Sequence, residues 1–169
     1  MKKRLIAAAS GVALTPALLV VLAGTANAHG YINSPPSRQA QCAKGTVQCG
    51  SVKYEPQSVE GSKGQRSCNG GNSAFAELND DSKGWAAASV GTSATFTWTL
   101  TARHRTTNWE YYIGGTRVGV VSGNNAQPPA TVTHTINLAG HTGRQKVLAI
   151  WNIADTSNAF YACVDVQVG

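Results

Sequence analysis

Acidic side chains are scarce: the 169 residues hold eight Asp and Glu against fourteen Lys and Arg. The eight are scattered and form no convincing catalytic pair, which argues against a glycosidase working through two carboxylates. Basic residues do not cluster either, so nucleic acid is not an expected partner and no long-range steering of a charged substrate is implied. No C-x-x-C pair occurs and no histidine lies close in sequence to the cysteines, which disfavours zinc as the reason for four cysteines. After residue 28 no apolar run is long enough to span a bilayer. No helical periodicity is long enough to build a second layer, and no repeat or low-complexity linker marks an appended domain.

The first residues have a different character. Lys2, Lys3 and Arg4 precede an apolar run over residues 5–22, and Ala26-Asn27-Ala28 is a small-x-small cleavage site. This pattern predicts a secretory signal peptide over 1–28, rather than a membrane anchor, and an extracellular mature chain over 29–169. Cleavage leaves 169 − 28 = 141 residues, enough for one domain with its own core and expected to be a monomer. Three basic and no acidic residues leave with the signal, so the mature charge is 11 − 8 = +3. Cys42, Cys49, Cys68 and Cys163 are an even set in an exported chain and predict two disulfides. Of the three possible pairings, the tight local loop favours Cys42–Cys49, which leaves Cys68–Cys163.

Periodicity is poor from residue 30 to about 88 and strong thereafter. Ala94, Phe96, Trp98, Leu100 and Ala102 alternate with Thr95, Thr97, Thr99, Thr101 and Arg103, a strand with a wet threonine face. Residues 108–113 read as a second strand. Residues 131–138 read as a third, with Val132, His134, Ile136 and Leu138 on one face. Residues 145–153 are apolar on both faces and therefore central. In 160–168, Phe160, Ala162, Val164, Val166 and Val168 share a face while Cys163 points the other way. Such a series predicts an all-β fold, an antiparallel β-sandwich of immunoglobulin or fibronectin-III type. The segment 50–88 is too long for an ordinary connection and is expected to have a job, with a helical turn near residues 73–78.

His29 stands out by position. Cleavage after Ala28 frees its α-amine, so one residue offers an amine and an imidazole nitrogen to a metal. A second imidazole completes three nitrogens in a plane, a set that favours Cu(II) over zinc. His104 is the expected partner, at the end of the 94–102 strand in the inward parity. His134 reads as a satisfied core histidine, and His141, in a polar turn, as solvated.

Four segments carry a resemblance. His29-Gly30-Tyr31 after the cleavage site, Thr99-Leu100-Thr101-Ala102-Arg103-His104, the stretch Trp151-Asn152-Ile153-Ala154-Asp155-Thr156-Ser157-Asn158-Ala159-Phe160-Tyr161, and Cys49-Gly50-Ser51-Val52-Lys53-Tyr54-Glu55-Pro56-Gln57-Ser58-Val59-Glu60 resemble the bacterial lytic polysaccharide monooxygenases, in order and across 29–169. The resemblance implies a histidine brace of His29 and His104 holding one copper ion that cycles between Cu(II) and Cu(I). It implies Phe160 in an axial position, Ala102 crowding the opposite side, and Glu60 just outside the metal's ligands. Tyr54 would lie against the polysaccharide, with Glu55, Thr101, Asp155 and Asn158 around the metal on a flat face.

The implied reaction is oxidative cleavage of crystalline polysaccharide by hydroxylating a carbon at the glycosidic bond. It would use oxygen or hydrogen peroxide and an external electron donor. The last quoted segment favours chitin, with cellulose the variant. Two rival functions remain: a chitin-binding adhesin without chemistry, which has no need of a free N-terminal histidine, and a secreted copper carrier, which has no need of the Tyr54 loop.

Overall fold

The computed structural model describes residues 28–169, so the expected signal peptide, except Ala28, lies outside the described residues. The elements run β1 (His29–Ser34), α1 (Arg38–Ala43), β2 (Glu60–Ser62), β3 (Ala88–Val90), β4 (Ser93–Ala102), β5 (Thr106–Ile113), β6 (Thr116–Ala126), β7 (Thr131–Asn137), β8 (Gly143–Ile153) and β9 (Asn158–Val168). Threonine alternation produces the first sheet, ordered β1-β4-β7. Thr95 faces Thr135 and Thr97 faces Thr133 on its wet side, with hydroxyls 2.9 and 3.3 Å apart. The dry side presents Phe96, Trp98 and Leu100.

The second sheet is ordered β2-β9-β8-β5-β6, and β3 adds to β9 in parallel. Its neighbours are otherwise antiparallel, so the expected β-sandwich is what forms. Val147, Ala149 and Trp151 of β8 join Phe160, Ala162 and Val164 of β9 in the core between the sheets. The opposite parity (Leu148, Ile150, Tyr161, Cys163) packs into a second core beneath the long segment, with Val52, Val59, Phe75, Leu78 and Trp85.

That segment is a built layer. Cys42 is bonded to Cys49, and Cys68 to Cys163 on β9. Arg38, 1% exposed, grips Asp165 through Nε (2.8 Å) and Nη2 (3.2 Å) and donates Nη1 to the Leu78 carbonyl (2.8 Å). A buried guanidinium holds only when its fork is answered in this way. β2 reaches the edge of β9 because Gly61 and Gly70 touch backbone to backbone; a Cβ on Gly61 would collide with the Gly70 carbonyl.

Helix α1 and strands β1, β2, β3 and β6 have no counterpart in the sequence reading. Six residues are too few to show a period, and β6 interrupts alternation with Gly119 and Gly123. The helical turn expected near 73–78 is a 3-10 stretch, Ser73–Asn79.

His134 is 8% exposed and accepts or donates a 2.7 Å bond at Nδ1 with the Tyr111 hydroxyl, which itself accepts from Trp98 Nε1 (3.0 Å). It is a satisfied core histidine. Burial holds its pKa down at about 4, against an ordinary 6.5. The unfolded chain takes up this proton near pH 6.5 and the folded chain only near pH 4. The stability this group contributes is therefore complete above 6.5 and falls as pH drops toward 4. Thermal unfolding between pH 7 and 4 should show that slope. His134→Gln, whose amide accepts the Tyr111 bond without titrating, should flatten it; an unchanged slope would assign the dependence elsewhere. Removing the Cys68–Cys163 bond should cost roughly 2–5 kcal/mol, and more than removing the short Cys42–Cys49 loop, by denaturant unfolding of the paired alanine variants.

Candidate metal centre

Pairing register gathers the site at one end of the sandwich. On β1, His29 lies opposite Ala102, the last residue of β4, two positions before His104. The neighbouring end of the second sheet supplies Phe160 on β9, which pairs with Glu60 of β2 on one side and Trp151 of β8 on the other. The Phe160 ring is fully buried and stands edge-on to the His29 imidazole, 6.3 Å between centroids; Trp151 packs behind it at 5.2 Å. His29 and His104 are both half-buried, at the mouth of the core.

His104 sits in the connection from β4 to β5, and three contacts hold its surroundings. Its carbonyl accepts from Thr106 Oγ1 (3.0 Å), and Thr106 in turn accepts from Trp151 Nε1 (2.7 Å). The next carbonyl, of Arg105, accepts from the Ala154 amide (2.7 Å), which draws the β8–β9 turn against this connection. Asp155 in that turn brings Oδ1 to 3.7 Å from His104 Nδ1. Lys63 holds the same turn from the other side, donating Nζ to the Thr156 carbonyl (2.7 Å).

Glu60 takes 2.8 Å from Asn158 Nδ2 at its Oε1, which fixes the carboxylate beside Phe160. Thr101 is exposed on the wet face of β4, and Ala102, half-buried, sits opposite His29. Tyr54 follows a 3-10 turn, Ser51–Lys53. Val52, Pro56 and Val59 around it are buried in the second core, so the ring is left 79% exposed, with Lys53 Nζ 4.6 Å from its centroid. Glu55 is half-buried in the same turn; among the described residues no side-chain contact ties it to the histidines. Sequence reasoning missed Lys63 and the Arg105 carbonyl, whose roles depend on tertiary contacts, and it missed the irregular stretch Gly123-Asn124-Asn125 beside His104. Turn residues inside an extended segment were the available signal for that last feature.

The donor chemistry fits a nitrogen-bound metal. Among the described residues no three His, Cys, Asp or Glu side chains gather into a cage. A metal held by His29 and His104 therefore needs a third donor from the backbone. The His29 nitrogen is that donor only as an amine, once the peptide bond to the buried Ala28 is cut.

His29 and the end of β4 that leads to His104 lie at one end of the β-sandwich, and Tyr54 is exposed on the layer that covers the second sheet. The family model described as "Lytic polysaccharide mono-oxygenase, cellulose-degrading" matches residues 29–166. A "Lytic chitin monooxygenase" of Streptomyces ambofaciens is 62% identical over 160 residues, covering 94% of this chain and 93% of that protein. A GlcNAc-binding protein A of Shewanella oneidensis is 36% identical over 85% of this chain, which spans only 36% of that longer protein. Among solved structures, a lytic polysaccharide monooxygenase of Jonesia denitrificans superposes with TM-score 0.80 at 46% identity, over 83% of this chain and all of that one. The one from Streptomyces lividans gives 0.75 at 39% identity, over 82% and 99%. The chain belongs to the lytic polysaccharide monooxygenase family, whose members are copper-dependent enzymes that cleave polysaccharide oxidatively.

Proposed function

We propose that the mature chain, a single secreted domain over 29–169, holds one copper ion between the amine and imidazole of His29 and the imidazole of His104, and oxidises chitin. The observation that carries the reading is the His29–Ala102 pairing, which sets the N-terminal residue against the strand end that leads to His104. Copper bound there supplies one-electron redox chemistry with oxygen or hydrogen peroxide, fed by an external electron donor, and its outcome is hydroxylation of a carbon at the glycosidic bond.

The chain's own residues do the rest. Asp155 orients the His104 ring from its Nδ1 side. Phe160 seals the inner side of the site, so that a species there meets apolar ring instead of water. Ala102, paired with His29, lies against the opposite, outer side of the site. The Glu60 carboxylate, fixed by Asn158, is the acceptor or proton-holding group next to the metal position. Tyr54 presents a flat ring for a sugar face. Asp155, Asn158, Thr101 and Glu55 give the surrounding face polar edges, which suits a crystalline chain that offers no free end to thread.

Chitin is favoured over cellulose by the chitin-active name of the S. ambofaciens relative, matched nearly end to end, although the family model's description says cellulose. A non-catalytic adhesin would leave the two-histidine arrangement without purpose.

Three measurements test this. Mass spectrometry of soluble products from β-chitin, with copper-loaded protein and ascorbate, should show oxidised oligosaccharides. Their absence from chitin and from cellulose alike would end the reading. A chain carrying an extra methionine before His29 has an amide in place of the amine. It should lose Cu(II) affinity by more than the roughly 10–100-fold that loss of a mere outer partner costs, measured by calorimetry. His104→Ala should abolish oxidised products and leave most chitin adsorption. Tyr54→Ala should weaken adsorption about fivefold, the worth of about 1 kcal/mol of aromatic contact. Wild-type turnover by His104→Ala would place the second ligand elsewhere.

A further inference from the structure

Past His104, on the side away from Glu60, the rim opens into a cleft of about 470 Å³ lined by Arg103, His104, Arg105, Asn125, Gln127 and Asp155. Its place follows from the strand order. Glu60 stands on β2 at one edge of the second sheet, and Ala126, opposite Thr106, ends β6 at the other. Four interstrand steps of about 4.8 Å separate those edges, roughly 19 Å across the end of the second sheet.

The cleft is built by a distortion of β6. The pairs Thr106–Ala126 and Asn108–Ser122 bracket one residue on β5 and three on β6. The extra residues form a bulge in which Asn124 and Asn125 both take left-handed conformations, φ 51° and 52°. Asparagine tolerates that region through local bonding, here a 2.9 Å contact from Ser122 Oγ to Asn124 Oδ1. Gly123 fits only because it lacks a Cβ, which would collide with Thr106. The distortion turns the Asn125 carbonyl toward Arg105 Nε (2.8 Å), and Gln127 Nε2 reaches the Arg103 carbonyl (3.0 Å). These bonds leave unused the Gln127 amide oxygen and the outer guanidinium nitrogens of Arg105. Among the described residues, the Arg103 guanidinium has no hydrogen-bond partner. Two exposed guanidiniums, an amide and one carboxylate, weakly charged in sum and continuous with the proposed substrate face, suit an uncharged sugar chain rich in hydroxyl and amide groups.

We infer that this cleft is a second polysaccharide subsite, which holds the chain on the far side of the metal position from Tyr54 through Arg103 and Gln127. The inference rests on the proposed polysaccharide function. Its role is positioning: with the chain held on both sides of His104, the bond above the metal position is fixed along the chain axis.

The test uses the mature copper-bound protein. Adsorption isotherms on β-chitin without reductant should be roughly three- to tenfold weaker for Arg103→Ala and for Gln127→Ala, the size expected for one or two net hydrogen bonds. Thermal stability and Cu(II) affinity should stay at wild-type values. The length distribution of oxidised products should broaden in both variants. In the wild type, titration with a chitin hexamer should shift the backbone amide resonances of Asn125 to Gln127 together with those around Tyr54. Variants that adsorb and cut like wild type, or a hexamer that shifts only the Tyr54 side, overturn the subsite. Weaker adsorption accompanied by lost stability or lost copper affinity assigns these residues a structural role and overturns it too. Failure of the wild type itself to adsorb or oxidise would instead bring down the function on which the subsite rests.

Discussion

Two adjacent strands buried on both faces govern this structure. β8 and β9 carry apolar side chains at both parities, so the second sheet cannot present either face to water. One face is met by the threonine-backed first sheet. The other, with Leu148, Ile150, Tyr161 and Cys163, has only the segment before β3 to cover it. Each such side chain left bare would forfeit on the order of 1.5–3 kcal/mol, so the segment has to be a layer. That is why it carries both disulfides and the buried Arg38–Asp165 pair.

Covering the sheet also fixes the chemistry-bearing groups. Val52 and Val59 are drawn into the second core, and the turn between them then has only one way for Tyr54 to point, which is outward. Glu60 follows Val59 immediately and enters β2, so its register with Phe160 is set by the same burial. The two histidines come from the first sheet and Phe160 and Glu60 from the second, so the site straddles the mouth of the sandwich. Its geometry is as rigid as the contact between the sheets, where Trp98 meets Trp151 edge-on at 6.4 Å, and as the packing of Trp151 on Phe160 within the second sheet.

What was legible in the sequence is what period-2 burial writes there. The long strands β4, β7 and β9, with their inward faces, follow from alternation, as does Cys163 pointing away from its neighbours' core, while β8 follows from being apolar on both faces and β5 was read over residues 108–113. The short elements were not legible, because three to six residues carry no measurable period and β2 or β3 exists only through a partner strand. β6 was hidden for a different reason: its glycines admit close neighbours, Ile136 against Gly119 and Thr106 against Gly123, and so break the alternation that would reveal it. At the candidate site, the place of His29 was read from the cleavage pattern and that of His104, past the end of β4, from parity. The contacts that orient them, from Asp155, Lys63 and the Arg105 carbonyl, were not, since each joins segments distant in sequence. Arg38 was equally silent. A lone arginine in a polar stretch reads as solvated until its three partners are seen.

The hydrogen-bonding state of the rim also bears on substrate choice. Chitin and cellulose share a β-1,4 backbone and differ at the second carbon, where one carries an acetamido group and the other a hydroxyl. A tyrosine ring against a sugar face meets nearly the same surface in both, so on the proposed function Tyr54 would contribute adhesion more than choice. Discrimination needs donors and acceptors not already engaged. The Asn158 amide donates to Glu60, and Asp155 faces His104. Besides the side chains of Thr101 and Glu55, unspent groups lie farther along, on the Arg103 and Gln127 side, where the bulge in β6 borders the cleft. A polar group that loses its partner on binding costs more than a matched one gains. On the proposed function, rejection of the wrong polysaccharide would fall to the edge of the face and the chemistry to its centre.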